Sequence, residues 1–137
     1  MDIQVWTDGS CKGNPGPGGW AFRLSTAVNG QEHIKVEFGG LPHTTNNLAE
    51  LEAVHQALLV IKTKGHTVTV HTDSQLVIGW LSQGWKRKDP ECAAKLAEIE
   101  RLAAAKNLEL SFVHVKGHTG IAENEYVNSL AQSATPR

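Results

Sequence analysis

The chain opens on a period of two. In DIQVWTD, Ile3, Val5 and Thr7 alternate with Gln4, Trp6 and Asp8, the pattern of a strand with one buried face. After a loop of glycines and prolines, GWAFRLSTAV reads as a second strand. Asn29-Gly30 is a hairpin turn and QEHIKVEFGG a third strand, so the first three strands are expected to form an antiparallel meander. The period then changes. Within TTNNLAELEAVHQALLVIKTKG, Leu48, Leu51, Ala57, Leu58 and Ile61 share one helical face, and Gly65 is the expected stop.

TVTVHTD, residues 67–73, returns to strand periodicity and ends on an acid. SQLVIGWLSQGW predicts a short helix stopped near Gly84. DPECAAKLAEIERLAAAKN predicts a longer one with Asp89 as N-cap and Pro90 in its first position. LELSFVHV, residues 108–115, is a fifth strand and AENEYVNSLAQSA a last helix. The order β-β-β-α-β-α-α-β-α joins the later strands through helices, and such crossovers make parallel pairs. The expectation is an α/β fold in one domain, residues 1–137. Its five-stranded mixed sheet has strands 1–3 antiparallel, strands 1, 4 and 5 parallel, and flanking helices. Ligands in such sheets gather beyond the carboxyl ends of parallel strands, and Asp8 and Asp73 both fall at predicted strand ends.

A chain of 137 residues with 40% apolar residues can bury one core. No apolar run approaches the ~20 residues of a membrane span. MDIQVW lacks the basic start and apolar stretch of a signal peptide, so a cytoplasmic protein without membrane association is expected. Cys11 and Cys92 lie far apart without a C-x-x-C pair, which points to two free thiols. The net charge of −1 lacks the basic excess common in nucleic-acid binders. A protein that clusters carboxylates around cations also counts as acidic until loaded, so charge does not choose between the two.

The loop GNPGPGG lacks the G-x-x-x-x-G-K-[ST] pattern of a phosphate cradle and reads as a stiff turn, although bare backbone there can approach a ligand closely. Asp8 alone can be a strand-ending polar residue, Glu50 the partner of an Asn47 cap, and Asp73 the cap of the helix beginning at Ser74. Together the three acids fall on one edge of the sheet. Clustered carboxylates repel unless cations neutralise them, and an oxygen-only set suits Mg²⁺ or Mn²⁺. His114 and His118 are spaced like a zinc half-site, but four residues of strand span about 13 Å and no second ligand pair exists. His118, on a glycine-flanked loop, is the better acid–base group.

Five segments in this order, TDGSCKGNPGPGGW, TTNNLAELEAV, HTDSQLVIGW, VKGHTG and ENEYVNSLA, resemble the type 1 ribonuclease H family over essentially the whole chain. The resemblance implies the ribonuclease H-like fold and hydrolysis of the RNA strand of RNA–DNA hybrids, giving 3′-hydroxyl and 5′-phosphate ends. It implies two Mg²⁺ ions per active site, with Mn²⁺ able to substitute. By motif, Asp8, Glu50 and Asp73 match the metal-binding acids, with Asp8 the bridging ligand. His118 matches the loop histidine that assists proton transfer or product departure. Asn14, Asn46 and Gln75 match positions that reach bases and sugars in the minor groove, and Thr45 a phosphate contact on the DNA strand.

The chain departs from the family pattern twice. Asn128 stands where the family's last helix carries a fourth metal-binding aspartate. Its amide oxygen can coordinate a cation but brings no charge, so an attenuated site is expected. The extra basic helix of some relatives is missing after GW, leaving Trp85, Lys86, Arg87 and Lys88 as a small aromatic-basic cluster for DNA phosphates. Two rivals stay open: a weakened hybrid-binding module, and another nuclease of the same fold, such as an integrase-like strand transferase acting on DNA. Nothing in the sequence demands more than a monomer.

Overall fold

The computed structural model describes residues 1–116 and 122–136. Its elements are β1 (Asp2–Cys11), β2 (Gly16–Val28), β3 (Gln31–Thr44), α1 (Asn46–Leu59), β4 (Thr67–Thr72), α2 (Gln75–Ser82), α3 (Pro90–Ala105), β5 (Glu109–His114) and α4 (Ala122–Ala134). The strands lie in the order β3-β2-β1-β4-β5. β1, β2 and β3 pair antiparallel, whereas β1, β4 and β5 pair parallel, as the meander and the helical crossovers require.

The pleat splits the apolar residues between two layers. Ile3, Val5, Phe22, Val68 and Val70 pack with Leu51, Val54 and Leu58 of α1 and with Leu96 and Ile99 of α3. On the opposite face Ala21 meets Val127 and Ala131 of α4, flanked by Trp6 and Leu130. Each fully buried Leu, Val or Phe contributes roughly 1.5–3 kcal/mol, so the first layer carries most of the stability. The second layer is built from small residues. A Cβ on Gly19 would lie 2.2 Å from the Ala131 carbonyl oxygen, and one on Gly40 2.7 Å from that of Ala134. The α4 backbone therefore rests directly on bare strand, which draws its inward side chains close to β1.

These contacts revise the reading of the glycine loop. Gly16 and Gly18 belong to β2 rather than to a turn, and together with Gly19 they leave room for neighbouring backbone, the carbonyls of Lys12, Ser10 and Ala131. β3 likewise runs past Gly40 to Thr44, because Gly39 accommodates the Trp20 indole and Gly40 the end of α4. α1 ends at Leu59, earlier than Gly65. The Lys106 ammonium donates to the carbonyls of Leu58 (2.7 Å), Leu59 (3.2 Å) and Ile61 (2.5 Å), satisfying the helix end from across the fold. The N-cap of α1 is Thr45, whose hydroxyl accepts from the Leu48 N–H, not Asn47.

Other local expectations hold. Asn29 and Gly30 both adopt positive φ, as a two-residue hairpin demands. Asp89 accepts from the Cys92 N–H ahead of Pro90. Both cysteines are free, and burial followed by the neighbouring Asp89 pushes the Cys92 thiol up to about 12. Among the described residues no helix is long and apolar enough to cross a membrane.

Candidate active site

Asp8 lies inside β1, opposite Ala21 of β2, rather than at the strand's end. Its position is nonetheless terminal with respect to β4, because the parallel ladder stops at Trp6 and His71. Asp73 follows the last residue of β4 directly. Helix α2 begins after it with Ser74 as cap, the hydroxyl accepting from the Val77 N–H, so Asp73 is not the capping residue. Glu50 arrives from the first turns of α1. Its approach depends on Gly9, where a Cβ would lie 2.3 Å from the Glu50 nitrogen and 2.4 Å from the Ala49 carbonyl carbon.

One carboxylate oxygen from each of Asp8, Glu50 and Asp73 can be chosen so that all three lie within 4.8 Å of one another. Asp8 is 1% exposed and Glu50 9%. Burial pushes the Asp8 carboxyl up to about 6, opposed next by the hydrogen bond from Glu50, then aided by the charge of Asp73, with the Asn128 and Gly9 hydrogen bonds opposing more weakly. Glu50 is raised well above its ordinary value by burial first, then by the charges of Asp8 and Asp73. In the absence of cations Glu50 therefore holds its proton more tightly than an ordinary carboxyl and shares a hydrogen bond with Asp8.

Glu50 Oε2 is buried without a hydrogen-bond partner. A buried carboxylate oxygen left unpaired is costly, and a hard divalent cation bound by oxygen ligands would satisfy it. The donor set, its convergence and this orphaned atom all fit such an ion.

Asn128 projects from α4 into the same cluster. Its Nδ2 donates to Asp8 Oδ2 at 2.6 Å, closing a contact between residues 120 positions apart. As oriented, the amide partly stabilises the Asp8 charge as a donor. His118 lies outside the described residues.

The remaining sequence-derived candidates fall into two groups. Asn14, Thr45 and Asn46 meet at the start of α1, where Asn14 Oδ1 accepts from the Asn46 backbone N–H at 2.9 Å. Gln75 and Trp85 line a cleft of about 250 Å³ together with Ile78, Gln83 and His114. Gln83 and His114 were not expected there. His114 is reached only through the β4–β5 register, which sets it beside Thr72. Trp85 is 44% exposed and leans on Gly79, where a Cβ would collide with the indole.

The basic cluster beside Trp85 is smaller than the sequence implies. Arg87 is committed to Glu100 through two hydrogen bonds (2.6 and 2.8 Å) and to the Trp80 carbonyl. The Lys86 carbonyl accepts from Trp80 Nε1, and its side chain faces solvent.

One signal for this site was open to sequence reasoning but points elsewhere when read locally. Gly9 follows an acid in a strand and reads as a turn residue, yet it seats α1.

A family model described as RNase H matches residues 1–135. A curated protein named ribonuclease H from Rhodopirellula baltica is 40% identical over an alignment covering 96% of this chain and 89% of that protein. Ribonuclease H1 from the halophilic archaeon Halobacterium salinarum superposes with a TM-score of 0.80 at 27% identity, covering 98% of this chain and 97% of that one. LC11-RNase H1, solved in complex with an RNA/DNA hybrid, superposes with a TM-score of 0.76 at 30% identity, covering 96% and 98%.

Proposed function

This chain belongs to the ribonuclease H family, and from that premise we propose that its acid cluster directs hydrolysis of the RNA strand of RNA–DNA hybrids. The observation that carries the reading is the convergence of Asp8, Glu50 and Asp73, with a buried Glu50 oxygen lacking any other partner. These three residues would hold divalent cations, Mg²⁺ or Mn²⁺, with Asp8 as the central ligand and the Asn128 amide at the margin. Held there, such cations would lower the cost of deprotonating water and of charge build-up on the departing 3′ oxygen; hydrolysis of the RNA strand would leave 3′-hydroxyl and 5′-phosphate ends.

The chain's own residues position the hybrid. With its Oδ1 accepting from the Asn46 N–H, Asn14 has its Nδ2 to offer as a donor. Minor grooves offer acceptors at every base pair, so a donor there grips without reading sequence. Thr45 Oγ1 already accepts from Leu48, which leaves its O–H to donate to a phosphate oxygen beside the helix N-terminus. Gln75, Trp85 and the Lys86 side chain supply a second contact, with the indole face available for a sugar or base. His118 is the acid–base candidate carried over by motif. Asn128 brings no charge to the cluster, so its variant with an acid is expected to bind the second cation more tightly.

The test is cleavage of an end-labelled RNA–DNA hybrid in Mg²⁺, Mn²⁺ and chelator, with single-stranded RNA and all-DNA duplex as controls. Cation-dependent cuts confined to the RNA strand, lost in Asp73→Asn, support the reading. Tight hybrid binding without cleavage in Mn²⁺ would replace it with the binding-module reading. Cleavage of the DNA duplex would replace it with a DNA-acting nuclease.

A further inference from the structure

The sheet ends on an unpaired strand. β3 spans Gln31–Thr44, and among the described residues its one sheet neighbour is β2. Long edges invite another strand, and proteins blunt them with charges, prolines or bulges. Here the centre of the edge carries the opposite feature. Ile34 is 51% exposed and Phe38 55%, and with Val36 between them they form an apolar stripe on the α4 side of the sheet. Lys35 and Glu37 lie on the other side, 3.5 Å apart as an exposed ion pair.

We propose that β3 pairs with β3 of a second copy of this chain, antiparallel about a two-fold axis at Val36. The order Ile34-Lys35-Val36-Glu37-Phe38 is self-complementary under that operation. Lys35 falls opposite Glu37 of the second copy and Glu37 opposite its Lys35. On the other face Ile34 falls opposite Phe38, Phe38 opposite Ile34, and Val36 opposite itself. Oppositely charged and aromatic–aliphatic pairs are the combinations that stabilise antiparallel neighbours. The two-fold makes the interface isologous and closed, so pairing stops at a dimer. Charges that would repel a foreign strand thereby select a second copy. Asp8 sits on β1 and Asp73 just beyond β4, two and three strands from this edge, with Glu50 brought to them by α1, so dimerisation leaves both clusters open. Two linked sites on one hybrid would raise avidity, which matters in a chain whose basic cluster has lost Arg87 to Glu100.

The test is sedimentation velocity of the full chain from low micromolar to several hundred micromolar, with hybrid cleavage measured alongside. The native chain should dimerise. Lys35→Glu and Glu37→Lys should each weaken the dimer by about 10- to 30-fold, since each turns two attractive pairs repulsive. The double exchange should restore it to within about three-fold, with cleavage per site unchanged throughout. A native chain that stays monomeric across the range overturns the proposal. So does a dimer indifferent to the single exchanges, or one the double exchange does not recover. Loss of cleavage in the native chain would instead count against the nuclease reading, independently of the dimer.

Discussion

Replacing Asn128 with aspartate should move stability and activity in opposite directions, with metal deciding the sign. In the native chain Asn128 Nδ2 donates to Asp8 Oδ2 at 2.6 Å. A hydrogen bond to a charged acceptor is worth about 1.5–3 kcal/mol. Asn128→Asp removes that donor and sets a fourth carboxylate against Asp8. Two unit charges about 4 Å apart repel by roughly 4 kcal/mol at an effective dielectric constant near 20. Proton uptake limits the damage: holding one further proton at neutral pH costs an ordinary carboxyl about 4–5 kcal/mol.

The net loss in chelator is therefore about 2–5 kcal/mol, a fall in Tm of roughly 5–15 °C for a domain of this size. The loss should shrink near pH 5, where holding the extra proton costs only about 1.5 kcal/mol. Saturating Mg²⁺ should reverse the order, with the variant gaining more from the cation than the native chain and cleaving hybrid faster by orders of magnitude. Thermal melts with chelator or Mg²⁺, paired with initial rates, read both effects. An unchanged Tm in chelator would refute the Asn128–Asp8 contact as the structure draws it. Equal Mg²⁺ responses of the two proteins would remove position 128 from the cation site.

Further outcomes follow from the same geometry. The Asp8 carboxyl is raised from 3.8 to about 6. Its stabilising contribution is fully present below 3.8 and is lost as pH rises through about 6, so the metal-free protein should melt lower at neutral pH than near pH 5. Asp8→Asn should flatten that profile and recover up to about 3 kcal/mol at neutral pH while abolishing cleavage. Gly9→Ala places a Cβ 2.3 Å from the Glu50 nitrogen. It should cost about 1–3 kcal/mol through overpacking and, by shifting α1, lower kcat about 100-fold, as melts and single-turnover rates would show. Arg87→Ala should leave the salt dependence of hybrid binding unchanged because its guanidinium is held by Glu100. Lys86→Ala should reduce that slope by about one unit in binding titrations across salt concentration.

Much of this protein is written locally and can be read without a structure. Strand and helix order follow from the periods of two and 3.6, which depend on neighbours a few residues away. The Asn29-Gly30 turn and the Asp89 cap obey chemistry confined to four residues. Asp8, Glu50 and Asp73 stood out because their motifs are short and contiguous, and the β-β-β-α-β order already set them on one edge of the sheet.

What the local pattern misses is set by approach between distant backbones. Gly9 and Gly19 look like loop residues until α1 and α4 are laid on them, because the missing Cβ matters only for what lies opposite. Lys86 and Arg87 are indistinguishable as neighbouring cations, and only the α3 face bearing Glu100 withdraws the second from solvent. The helix-stopping role assigned to Gly65 belongs instead to Lys106, an ammonium delivered from the end of α3. Motif alone places Asn128 at the cation site, and only the docking of α4 turns its amide into a donor to the buried Asp8 carboxylate. Sequence alone therefore determined the elements and named the acids, since periodicity and motif are short-range properties. Tertiary structure decided how close those acids stand and what charge they hold, since distance and burial arise only when separate segments pack.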